Sequence, residues 1–181
     1  GTNTLFHYDG SSWNKFPFFI PSQGVHILSI TGLNSNDIYM VGGRNDVVQP
    51  IDTSFYYMYH FNGSQWNVID SSYLTNTEYV WHFGVRLKTI EGDLYSASNR
   101  LFKKEGSGWK IINDDPLVFS LGGSSSDNVF CATTNGTAYH FNGSDWKKIT
   151  IKEGFEEAIY DIWTDGTEVF MVTWGYIIHG Q

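Results

Sequence analysis

Cysteine, basic residues and long apolar runs are all scarce in this 181-residue chain. The single Cys131 leaves no partner for an internal disulfide framework and too few thiols for a cysteine zinc cluster. Lys and Arg number 11 against 19 Asp and Glu, a formal net charge of −8. The clustered cations that neutralise nucleic-acid phosphates are therefore missing, and no nucleic-acid partner is expected. No apolar run approaches the roughly 18 residues that a membrane helix needs, so no membrane span is expected. No segment reads as a signal peptide, and no stretch of helical length carries a 3.6-residue period. Only 17% of residues are charged, whereas aromatics reach the same 17% and glycine numbers 19. Disordered chains have the opposite balance, so one domain over residues 1–181 with a sizeable core is expected.

What the chain does have is an internal repeat. Four segments align without gaps: Phe6-His7-Tyr8-Asp9-Gly10-Ser11-Ser12-Trp13, Tyr59-His60-Phe61-Asn62-Gly63-Ser64-Gln65-Trp66, Phe102-Lys103-Lys104-Glu105-Gly106-Ser107-Gly108-Trp109 and Tyr139-His140-Phe141-Asn142-Gly143-Ser144-Asp145-Trp146. A short apolar strand follows each later Trp. Between these motifs lie paired apolar segments separated by turn residues: 27–32 with 37–42, 80–85 with 93–97, 118–122 with 128–133, and 159–164 with 168–174. Short apolar runs bounded by Gly, Ser, Asn and Asp are a strand signature. Each repeat thus reads as four antiparallel strands, A to D, with the Trp on D.

A four-stranded antiparallel unit repeated at roughly 40 residues is the pattern of an all-β fold, the β-propeller. The repeats fall at approximately 26–70, 79–112, 117–150, and 158–181 completed by 4–16. Four blades are expected, closed by pairing of the N- and C-terminal strands, since closure hides sheet edges. A segment of a larger propeller is the alternative. The repeated Trp is expected to fill the space between blades, and the Asn-Gly and Asp-Gly pairs to supply the C–D turns.

The run Ile38-Tyr39-Met40-Val41-Gly42-Gly43, followed by Tyr59 and Trp66, resembles a kelch repeat. It is also similar to bacterial propeller repeats that carry a His-Tyr-Asp-Gly-x-x-Trp segment. The likeness spans nearly all the chain, although Ser98-Asn99 and Thr133-Thr134 replace Gly-Gly in later repeats. The resemblance implies a non-catalytic binding scaffold.

Two groups of residues are candidates for binding. The middle of strand A is polar in every repeat, at Ser29, His82, Ser120 and Asp161, and alternation places this column toward an axial channel that could hold an ion, water or a small polar ligand. In a four-bladed ring His82 would face Asp161, and Ser29 would face Ser120. The other group lies in the variable D–A and B–C connections, 17–25, 44–54, 70–78, 113–116 and 152–157. Phe18, Phe19, Arg44, Tyr73 and Phe155 sit in or beside them, where binding residues gather on rigid scaffolds. His7, His60 and His140 share one repeat position with Lys103, which reads as a property of the blade rather than a metal site. Asn62, Asn135 and Asn142 begin glycosylation-type tripeptides that also read as turns.

No catalytic residue, metal or cofactor is assigned. A Ser-His-Asp triad lacks a nucleophile elbow here. The expected function is protein–protein interaction through the variable-loop face. A lectin-like propeller binding a glycan is the nearest alternative. A glycan-active enzyme using Asp161, Glu156 and Glu157 is a more distant one. The Asn-, Ser-, Thr-, Gly- and aromatic-rich composition suits a secreted or cell-surface bacterial protein.

Overall fold

The computed structural model describes residues 4–16, 24–48, 51–75, 79–80 and 83–181. Among these residues the regular structure is all strand, with no helix. Contacts divide the chain into two compact units, Gly1–Trp81 and His82–Gln181.

In the first unit β1 (Leu5–Tyr8) and β2 (Trp13–Phe16) form a hairpin. A meander follows of β3 (His26–Asn34), β4 (Asp37–Val48), β5 (Ile51–Phe61), β6 (Trp66–Thr75) and β7 (Tyr79–Val80), paired in chain order. This sheet has five strands where the repeat pattern predicts four. The difference comes from the connections expected to be irregular at 44–54 and 70–78. β4 and β5 stay paired from Ile38↔Phe61 out to Val48↔Ile51, and β6 follows them out to Thr53↔Thr75. Val47, Val48, Ile51 and Thr53 are β-branched types that suit a pleated ribbon, so the insertion extends the blade instead of leaving it. Phe16 and Phe61 meet edge to face at 5.3 Å and 83°. On the two faces of the sheet Met40, Val41, Met58 and Tyr59 are buried, as is Val25 just before β3.

The second unit contains three meanders. The first is β8 (Arg86–Ile90), β9 (Asp93–Ala97), β10 (Leu101–Glu105) and β11 (Gly108–Asn113). The second is β12 (Val118–Ser125), β13 (Asn128–Thr133), β14 (Ala138–Phe141) and β15 (Trp146–Ile149). The third is β16 (Asp161–Thr164), β17 (Val169–Val172) and β18 (Ile177–Gly180). The first strands are innermost: β12 lies beside both β8 and β16. Strand β13 shows why the sheets stack. Val129 and Cys131 enter one apolar cluster, with Ile90, Leu101 and Leu121. Phe130 and Ala132 enter another on the opposite face, with Ile159, Ile162 and Met171. The period-2 alternation of a strand thus feeds two cores at once, and burial of each large side chain contributes about 1.5–3 kcal/mol. Burial pushes the Cys131 thiol pKa up, with the Asp115 charge adding to it, so this cysteine is a packing residue. Trp146 packs on the first cluster, as expected for the repeated tryptophan. Trp13 departs from that expectation and is 69% exposed.

The inner strand of the second repeat is Arg86–Ile90, later than the 80–85 segment expected from apolarity. A two-residue turn, Glu91-Gly92 with φ of 49° and 88°, closes the hairpin at Ile90↔Asp93 and fixes the register. The preceding five residues must then be the strand.

Side-chain oxygens close four of the other hairpins. Asp9 Oδ1 accepts from the N–H groups of Ser11 and Ser12, both at 2.9 Å. Asn62 accepts from Ser64 and Gln65 at 3.1 and 3.0 Å, and Asn142 from Ser144 and Asp145 at the same distances. Asp165 repeats the device in the third meander, taking the N–H groups of Thr167 and Glu168 at 2.9 Å. These donors, Glu168 first, bring the Asp165 carboxyl down from the ordinary 3.8 to about 2. A depressed folded-state pKa stabilises the fold fully above the ordinary value, and that contribution is lost as pH falls from 3.8 toward 2. Carbon-13 titration of Asp165 is therefore expected to show a midpoint of about 2. Asp165→Asn, which matches the residue type of the equivalent turns, is expected to keep the hairpin and flatten the acid dependence of unfolding in that window.

Candidate functional site

One repeat position on strand C carries a titratable side chain, held in the same way, in four of the sheets. His60 Nε2 donates to Asp37 Oδ1 at 2.7 Å and stacks on Tyr39 at 4.6 Å. His140 Nε2 lies 2.7 Å from Asn128 Oδ1 and stacks on Phe130 at 4.3 Å. His179 stacks on Phe170 at 4.5 Å, with Glu168 3.4 Å away. In the sheet of β8–β11 Lys103 pairs with Asp93 at 2.6 Å and lies 5.5 Å over Tyr95. Strand C thus carries an imidazole or ammonium tied to a residue at the start of strand B or just before it, above the aromatic two positions on. Burial, then the Lys147 charge, push the His140 pKa down, whereas the bond to Asp93 raises that of Lys103. These groups serve the blades, and among the described residues no three His, Cys, Asp or Glu side chains gather around one point.

Ser29, Ser120 and Asp161 each lie opposite the equivalent position of strand B, at Val41, Ala132 and Val172. In the second repeat that ladder position, opposite Ala97, belongs to Arg86. His82 lies outside the described residues. Ser120 is buried and its Oγ donates to the Ile159 carbonyl at 2.8 Å, which ties β12 to the segment leading into β16. Asp161 is exposed, and its Oδ1 accepts from the Ile162 N–H at 3.0 Å. The Arg86 guanidinium sits 4.8 Å over the Phe119 ring, and Phe119 meets Tyr160 edge to face at 6.1 Å. Sequence reasoning missed this Arg–Phe–Tyr row because it placed the strand too early.

The most developed surface lies on the extension of the first unit's sheet. Two of the variable-connection candidates, Arg44 and Tyr73, fall in a single ladder row with Phe55 between them, Arg44↔Phe55 and Phe55↔Tyr73. Directly opposed residues share a face. The Arg44 guanidinium carbon is 5.2 Å from the Phe55 ring centre and 6.0 Å from that of Tyr57. Phe55 and Tyr57 stack at 6.5 Å and 16°, and Tyr57 meets the buried Tyr59 at 6.3 Å. Burial, and then Tyr57, push the Tyr59 hydroxyl up to about 12, so it stays neutral. Phe55, Tyr57 and Arg44 are half-buried and Tyr73 is 38% exposed. A guanidinium preset over aromatic rings beside an accessible Tyr is the residue set on which protein partners anchor. Phe55 and Tyr57 were readable in sequence only as the alternation Phe55-x-Tyr57-x-Tyr59.

The remaining loop candidates divide. Phe18 and Phe19 lie outside the described residues. Phe155 is half-buried against the cluster of Phe130 and Ile159, and a Cβ at Gly136 would come within 2.8 Å of its carbonyl. It helps to roof the core. The exposed aromatics nearby are Trp174, 90% exposed, and Tyr176, neither of which the repeat pattern singles out.

Meanders of this kind, each starting on an inner strand and stepping outward, define a β-propeller. No family model matches the sequence, and none of the curated proteins does. Among solved structures the chain is similar to YCF48 bound to D1 peptide, at 17% identity and a TM-score of 0.59, covering 98% of this chain and 58% of that one. The computationally designed Ika4 protein matches at 9% identity and a TM-score of 0.56, over 90% of this chain and 95% of Ika4. The designed Ika8 protein matches at 9% and 0.57, over 95% of this chain and 50% of Ika8. At such identities the likeness is one of fold, and the fold is a β-propeller. The chain spans little more than half the length of the YCF48 chain.

Proposed function

We propose that this propeller is a non-catalytic module that binds a protein partner through the Arg44–Phe55–Tyr73 row and the neighbouring Tyr57. The observation that carries the proposal is the row itself: a guanidinium held over two stacked rings on a ribbon that the other repeats lack. The YCF48 structure, a propeller with a bound peptide, supports a peptide or protein as the class of ligand. Kelch-like repeats and a secreted or cell-surface bacterial setting belong to the same proposal and rest on the sequence pattern and composition.

Parallel arrays of overlapping peptides and of glycans test it. Saturable binding to peptides is expected, with truncation in an Arg44→Ala/Tyr73→Ala variant costing about 2 kcal/mol or more, roughly 30-fold in affinity. The circular dichroism of the variant should match the parent. Binding confined to the glycan array would replace the protein reading with the lectin one. Peptide binding that ignores the double substitution would remove the site from this row.

A further inference from the structure

The sheets of β8–β11 and β12–β15 approach closely at their inner strands and leave a gap toward their outer ones. At the inner end a Cβ on Gly123 would lie 2.8 Å from Ile90 Cδ1, and the Ser126 N–H donates to Glu91 Oε2 at 2.8 Å. Farther out a cleft of about 440 Å³ opens between the two sheets. Its walls differ in kind. Pairing puts Tyr95, Lys103 and Lys110 in one ladder row of the first sheet, and Val129, Phe141 and Trp146 in one row of the second. Directly opposed residues share a face, and both rows line the cleft. Phe141 and Trp146 lie 5.3 Å apart at 38°. Two ammonium groups set directly opposite each other repel. The corresponding pairs in two other sheets, His60↔Asn67 and His140↔Lys147, hold one permanent cation at most. Asp93 answers Lys103 at 2.6 Å, whereas Lys110 Nζ is 3.5 Å from Glu105 Oε1 with both side chains more than half exposed. So loose a surface pair contributes little.

We propose that this cleft binds a small aromatic carboxylate. The ring would lie against Phe141 and Trp146, with its carboxylate between the Lys103 and Lys110 ammonium groups, in the place that Glu105 holds loosely. An ammonium has three donors, so Lys103 keeps Asp93 and still donates to the ligand. The cleft has the volume and the make-up of a small-molecule site, apolar walls with a few convergent polar groups. Charge excludes an aromatic amine, which the two lysines would repel. A sugar would press hydroxyls against the apolar Val129–Phe141 wall, at a cost in lost hydration. The cleft shares no residue with the Arg44–Tyr73 row and needs no protein partner, so the two proposals stand or fall separately.

The test is a titration of cinnamate into the intact chain, followed by amide proton–nitrogen correlation spectra. Saturable shifts are expected at Lys103, Lys110 and the Trp146 indole N–H. Cinnamylamine, with the same ring and the opposite charge, should bind weaker by about tenfold or more. Lys110→Gln changes an exposed side chain and should weaken cinnamate binding by about tenfold, while Lys110→Arg should preserve it. Glu105→Gln removes the competing carboxylate and should tighten binding several-fold. The Arg44→Ala/Tyr73→Ala variant should bind cinnamate at full strength. Absence of saturable shifts at these residues up to the solubility of the probe would overturn the proposal. Equal affinity for the amine, or indifference to both Lys110→Gln and Glu105→Gln, would do the same.

Discussion

Gly122→Val is expected to destabilise the second unit by about 3 kcal/mol, the upper end of overpacking costs. A Cβ at this position would lie 2.5 Å from the Ile162 carbonyl oxygen and 3.0 Å from the carbonyl carbon. The obstacle is backbone, and Ile162 is held in its ladder opposite Met171. The new side chain cannot push aside a flexible group, so β12 and β16 must separate. For a chain of this size the midpoint of thermal unfolding should fall by roughly 6–12 °C. Gly175→Ala is the control, because a Cβ there meets nothing within 4 Å. Similar melting of the two variants would show that the inner strands do not approach this closely.

The second large effect is expected at Leu101, which is fully buried among Ile90, Tyr95, Val118 and Leu121. Leu101→Ala removes buried methyl groups and leaves a cavity between two sheets, at a cost of about 2–5 kcal/mol. Denaturant titration should show a lower midpoint with an unchanged slope if the unit still unfolds as one. Ile177→Ala, on the exposed edge, should stay within about 0.5 kcal/mol of the parent. The contrast separates packing from simple loss of an apolar side chain.

The hairpins were the legible part of this fold, because an Asx turn is decided by four neighbouring residues and needs no tertiary context. Asn62, Asn142 and Asp9 announce their turns in the sequence itself. Strand assignment was less reliable where apolarity and turn chemistry disagreed. Residues 80–85 are more apolar than Arg86-Leu87-Lys88, yet the Glu91-Gly92 turn decides the register and pulls the charged segment into the inner strand. The ribbon of β4 and β5 was hidden for another reason. Its length exceeds that of the other repeats, and an insertion without a counterpart reads as a loop. Arg44 and Tyr73 could be named as candidates from their place in that insertion. Their alignment in one row depends on register, which is set by pairing between strands distant in sequence. Trp174 carried no signal beyond its neighbour Gly175.

In every sheet the strands lie side by side in the order in which they occur along the chain. Each pairing therefore closes only a short stretch of polypeptide, and loop entropy opposes it weakly. Hairpins of this type form within microseconds. A nascent chain emerging from the ribosome can finish each meander as its last strand appears, and no later segment has to thread through an earlier one.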